Sequence, residues 1–238
     1  MFVSDNLNVN EKGHLTIGGI DTVDLAKEYG TPLYVMDEQV VRKNLRRFHE
    51  SMQKYYGGRG EVHYASKAFS CLEMCRIVAS EGDGLDAVSI GELYTAVKAG
   101  FPMDKVGFHG NNKTNDELEY ALDCGVGHII VDNISELHRL EKIAAEKGVK
   151  ANIMFRIKPG IDAHTHDFVK TGQIDSKFGF ALETGEAFEA VKEAIACENV
   201  SLEGLHCHIG SQIFDIDPFV EAAKVMLGLI AKIKNELG

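Results

Sequence analysis

From residue 38 onward the apolar positions of the chain switch between two periods. Short apolar runs at 62–65, 85–89, 106–109, 128–131, 153–157 and 202–206 have the length of buried strands. Around them, at 38–55, 90–99, 116–124, 135–147, 186–197 and 219–237, apolar residues recur three and four apart, which predicts amphipathic helices. The first five strands return roughly every 22 residues, the size of one βα unit with short loops. Such repetition predicts a parallel sheet covered by helices.

The pattern upstream is different. Runs at 7–10 and 14–17, separated by Glu11-Lys12-Gly13, predict a hairpin. A short helix is expected over 21–29, stopped by Gly30 with Pro32 beyond it, and a further strand over 33–36. Two exposed strands are not stable alone, so this segment needs something else to pack on.

An open doubly wound sheet and a (β/α)8 TIM-like barrel both accommodate repeated βα units. A dinucleotide-binding sheet carries G-x-G-x-x-G after its first strand, whereas the turn here reads Tyr64-Ala65-Ser66-Lys67-Ala68. Polar residues gather instead at the C-terminal ends of the strands: Lys67, Ser89, His109, Asn112, Asp132, Arg156, His208 and Gln212. Chemistry converging from many strand ends favours a barrel mouth. About six βα units are present where a closed barrel has eight, and apolar strand edges are normally avoided. The expected fold is therefore an α/β barrel, incomplete here, with the chain truncated after its sixth unit.

Composition narrows the function classes. A net charge of -11, with basic residues scattered among acids, argues against a nucleic-acid surface. No apolar run reaches about 18 residues, the length of a membrane span. Residues 1–10 lack the basic-then-apolar pattern of a leader, so a cytoplasmic protein is expected. The five cysteines form no C-x-x-C pair and read as free thiols. Cys207 alternates on its strand with His206 and His208 and so faces away from both, which argues against a shared metal.

Four places carry candidate chemistry. Lys67 follows an apolar strand, where desolvation and nearby cations would make a nucleophilic amine; a lysine snorkelling out at a helix start is the plain alternative. His206-Cys207-His208-Ile209-Gly210-Ser211-Gln212 places histidines below a glycine-serine loop suited to an anion, though a pair of satisfied interior histidines fits too. Asp86 points inward on one strand parity, where a lone carboxylate is costly and Lys67 is a candidate partner. Ser89 and Glu92, nearby, read as the start of the next helix. Arg156 closes the fifth strand and suits a phosphate or carboxylate, or else an ion pair with a loop acid.

These residues carry a resemblance. Tyr64-Ala65-Ser66-Lys67-Ala68 is similar to the YAxKA motif of the barrel-type, alanine-racemase-like decarboxylases that use pyridoxal 5'-phosphate. The segment 206–212 resembles their HxHIGSQ motif, 84–93 their G-L-D-x-x-S-x-G-E-L segment, and 108–114 their G-N-N-K turn. Arg156-Ile157-Lys158-Pro159-Gly160, His164-Thr165-His166 and the stretch 171–179 resemble the diaminopimelate decarboxylase branch rather than the ornithine and arginine branches. Four motifs in order, from about Asn6 to the end, make the resemblance specific. It implies that Lys67 carries the cofactor, that His208 stacks on its ring, and that Ser211 holds its phosphate, with Asp86 and Arg156 as further cofactor-binding residues and no metal. The implied reaction is decarboxylation of meso-diaminopimelate to L-lysine, the last step of lysine biosynthesis, in a homodimer.

The resemblance further implies that residues 1–36 belong to a second, mostly absent β domain and 37–238 to the cofactor-binding barrel. It places a glycine-rich phosphate loop, a Glu-Pro-Gly-Arg segment and a cysteine and tyrosine of the β domain beyond this chain. The chain alone is expected to hold Lys67 without a complete site, and to have little activity. Rival readings are a carboxynorspermidine-type decarboxylase, a racemase, a non-catalytic pyridoxal-phosphate-binding relative and a structural fragment.

Overall fold

A computed structural model describes residues 4–161, 177–210 and 213–238. The chain divides into two compact units. The first runs to Tyr64 and takes in Glu73–Gly84 as well; the second holds Ala65–Leu72 and Leu85–Gly238.

In the first unit the expected hairpin is present. Strands β1 (Leu7–Val9) and β2 (Leu15–Ile17) pair antiparallel, and β2 pairs in turn with β3 (Ile20–Asp21). Asp21 caps helix α1 (Thr22–Tyr29) by accepting from the Val23 amide, and Gly30 ends it at φ 81°. Asn10 and His14 both reach the same Asp21 carboxylate, at 2.8 and 2.9 Å, so one acid fixes both the turn and the helix start. The strand expected over 33–36 is absent. Those residues are exposed, Tyr34 fully so, and a lone apolar run with no ladder beside it gains nothing from extension.

Asp37 caps α2 (Glu38–Tyr56) through the Gln39 and Val40 amides. One face of α2 is fastened to the end of α3 (Leu72–Glu81). Arg42 and Arg46 grip the Glu81 carboxylate at 2.7–2.8 Å, and His49 Nε2 lies 2.5 Å from the fully buried Asp83. Leu45, Met74, Cys75, Ile77 and Val78 are buried.

The chain passes through β4 (His63–Ala65) into the second unit, where strands and helices alternate as expected. After β5 (Gly84–Ala87) come α4 (Ile90–Ala99), β6 (Val106–Phe108), α5 (Asn115–Cys124), β7 (His128–Val131), α6 (Ile134–Lys147) and β8 (Ala151–Lys158). A short β9 (Phe180–Ala181) precedes α7 (Glu186–Ala196), β10 (Val200–Cys207) and α8 (Asp217–Leu237). Neighbouring strands β5-β6-β7-β8-β10 are all parallel, and β9 adds to the end of β8. Ser89, Thr114 and Asn133 cap α4, α5 and α6, and Gly100, Gly125 and Gly148 end those helices in the left-handed region. Ser89 thus begins a helix rather than ending a strand.

Strand alternation sorts the sheet into two faces. Leu85, Phe108, Ile129, Ile153, Phe155 and Ile157 are buried under the helices. The register then sets Asp86 beside Gly107, and Arg156 beside His206, on the opposite face. That opposite face carries the candidate chemistry.

Candidate functional site

Lys67 lies in a single 3-10 turn, Ser66–Ala68, directly after β4, and is exposed. The residue before it is buried: the Ser66 hydroxyl lies 2.8 Å from both the Asp86 carbonyl and Glu92 Oε2, and its one proton serves one of them at a time. Glu92 also accepts from the Val88 amide at 2.6 Å. A glutamate read as the first turn of a helix therefore also pins the turn that presents Lys67.

Asp86 has a partner at the next strand end. Its Oδ1 lies 3.3 Å from Nε2 of His109, just past β6. His206 meets the other side of the His109 ring edge-on, with centroids 4.9 Å apart. Burial foremost, then the charges of His109 and Arg156, lowers the His206 pKa to about 3, so this ring is neutral at pH 7.

Arg156 faces inward from β8, with Nε 4.0 Å from Oδ1 of the buried Asp132 and its guanidinium stacked 4.1 Å over the Phe178 ring. The loop-acid alternative is thus partly realised. Burial lowers the Arg156 pKa and raises that of Asp132, each opposed by the other's charge. A Cβ on Gly179, at φ 74°, would lie 2.7 Å from the Arg156 carbonyl, so the glycine of the Lys177-Phe178-Gly179 stretch lets that loop close on Arg156.

His208 lies just past β10 and lines, with Leu205 and Cys207, a cavity against Phe219, Ala222 and Met226 of α8. Burial lowers the His208 pKa, and so do the charges of Arg156, Lys67 and His109. Gly210 follows at φ 137°, backbone space open to glycine. Ser211 lies outside the described residues, as do His164, His166 and the first part of the 171–179 stretch.

One buried device escaped the sequence reading. Lys113 Nζ donates to the carbonyls of Gly110 and Ile130 and to Glu136 Oε1, at 2.8, 2.7 and 2.7 Å, and Glu136 accepts in turn from the Asp132 amide. It ties the ends of β6 and β7 together beneath the site. The two residues are 23 apart, and neither segment's local pattern names the other as its partner.

The site gathers an amine (Lys67), four cationic or imidazole side chains (His109, Arg156, His206 and His208) and two carboxylates (Asp86 and Asp132) at one edge of a parallel sheet. An aldehyde needs the amine, a phosphate ester needs the cations, and the flat neutral ring of His208 suits an aromatic face; the donor set fits pyridoxal phosphate. Residues 40–238 match the family model described as pyridoxal-dependent decarboxylase, pyridoxal binding domain. The chain is 50% identical over 237 residues to a diaminopimelate decarboxylase of Bacillus methanolicus, covering 100% of this chain and 55% of that one. It is 48% identical to that of Bacillus subtilis, covering 94% and 51%. Among solved structures, diaminopimelate decarboxylase of M. jannaschii in complex with L-lysine matches with a TM-score of 0.91 at 38% identity, over 99% of this chain and 55% of that one. The fold is thus the parallel-stranded α/β fold of the barrel domain in those structures, and the chain spans about half the length of the curated relatives it matches.

Proposed function

Because this chain belongs to the pyridoxal-dependent decarboxylases, through their pyridoxal-binding domain, we propose that the full-length protein decarboxylates meso-diaminopimelate to L-lysine. The observation that carries this reading is the convergence of Lys67, Arg156, His109 and His208 at one sheet edge, in a chain similar along its whole length to diaminopimelate decarboxylases. Lys67 would hold the cofactor through its amine, with His208 toward its ring and Ser211 toward its phosphate. Asp86 and Arg156 complete the polar surround. When bound, the cofactor supplies the electron sink for the charge left by loss of CO2.

The protein's own residues do the rest. Lys67 stands exposed on its turn, and Ser66 and Glu92 hold the base of that turn. His208, its protonated form disfavoured by burial and neighbouring cations, offers a neutral face at pH 7. Arg156, braced by Phe178 and Asp132, supplies a fixed positive charge for a carboxylate or phosphate.

The same reading assigns residues 1–36 to a second β domain and 37–238 to the barrel domain, and it makes the full-length protein a cytoplasmic homodimer. No described helix is long and apolar enough to cross a membrane. The test is to supply the full-length protein with pyridoxal phosphate and meso-diaminopimelate and follow lysine and CO2 together. Equimolar lysine and CO2, lost in Lys67→Ala, are expected. No turnover of diaminopimelate, or faster turnover of another amino acid, would overturn the assignment.

A further inference from the structure

The Asp86–His109 pair sits in a slot that the sheet builds for it. Register sets Asp86 of β5 beside Gly107 of β6, and His109 follows two residues further along, on the same face. A Cβ on Gly107 would lie 3.1 Å from Asp86 Oδ1 and 3.3 Å from His109 Nε2, so a side chain there would press on the pair from below. Glycine in a strand interior otherwise weakens it, and close approach of other groups is a recognised reason to find one there. Both side chains are partly shielded from water: His109 is 12% exposed and Asp86 33%. His206, neutral at pH 7, stands edge-on against His109 and walls its ring without bringing a rival charge to the carboxylate. The main chain of Asp86 is tied through the Ser66 hydroxyl to the turn that carries Lys67.

Resting on the reading of this face as a pyridoxal phosphate site, we infer that His109 is a positioning residue, which holds the Asp86 carboxylate in one rotamer beside the Lys67 turn. Gly107 and His206 complete the device, one by leaving space and the other by filling it. The consequence is a pre-organised acid at the cofactor.

The experiment is a double-mutant cycle on the full-length protein, read as the dissociation constant for pyridoxal phosphate from its absorbance, with the thermal midpoint measured alongside. Loss of this polar contact to a carboxylate predicts about tenfold weaker binding in His109→Phe. Asp86→Asn should weaken it similarly, and the double variant should be no worse than either single one. His109→Gln, whose amide still donates, should recover most of the affinity, and Gly107→Ala should weaken binding with His109 intact. If His109→Phe does not fold, His109→Ala, which removes the ring without adding bulk, carries the same expectation. Losses that multiply in the double variant, or wild-type affinity in His109→Phe, overturn the inference alone. Absence of saturable cofactor binding in the wild-type protein overturns the functional reading and the inference with it.

Discussion

Lys113 is 3% exposed, yet each hydrogen of its ammonium has an acceptor. Burial lowers its pKa and raises that of Glu136, and the pair's mutual attraction opposes both shifts. Removing one member leaves the other as an uncompensated buried charge. Lys113→Met should therefore cost about 3–5 kcal/mol, and Lys113→Met with Glu136→Gln should recover part of it. Urea unfolding of the three proteins checks this; equal stability of Lys113→Met and wild type would contradict it. At this scale the strand ends were legible, and register sets Asp86, Arg156 and His206 on one face of the sheet. The Asp86–His109 and Lys113–Glu136 pairs were not legible, because nothing in the local pattern of either segment points to its partner.

Among the elements, α2 depends on a carboxylate from α3. Glu81 is gripped by Arg46 and Arg42, which lower its pKa from 4.5 to about 2. An acid whose folded pKa is depressed stabilises the fold in full above its unfolded value, and that contribution fades as pH falls. The contribution of Glu81 should thus hold above pH 4.5 and be lost between about 4.5 and 2. In Glu81→Gln the stability should be lower at pH 7, and its gap to wild type should close across that window in pH-dependent thermal unfolding. A gap that stays constant to pH 2 would contradict the clamp. Helix limits were readable because their signals are local: Ser89, Thr114 and Asn133 open helices, and Gly100, Gly125 and Gly148 close them. The missing strand over 33–36 failed for the opposite reason, since a strand depends on a neighbour that its own residues do not specify. The single turn Ser66–Ala68 and the two-residue β9 are too short to leave a period in the sequence.

On the scale of the whole molecule, five parallel strands carry Asp86, His109, Asp132, Arg156 and His208 at or just past their C-terminal ends, with Lys67 in the turn after β4. The regular βα spacing made this arrangement readable from apolar periodicity, and the motifs supplied the chemistry. One lysine among the many on an acidic surface should be singled out by its place on the sheet. The direct test is to incubate the full-length protein with pyridoxal phosphate, reduce with borohydride and locate the pyridoxyl group by peptide mass spectrometry. A single adduct on the peptide containing Lys67, absent in Lys67→Ala, is the predicted result. Label spread over surface lysines such as Lys12 and Lys98, or no label at all, would contradict the central claim.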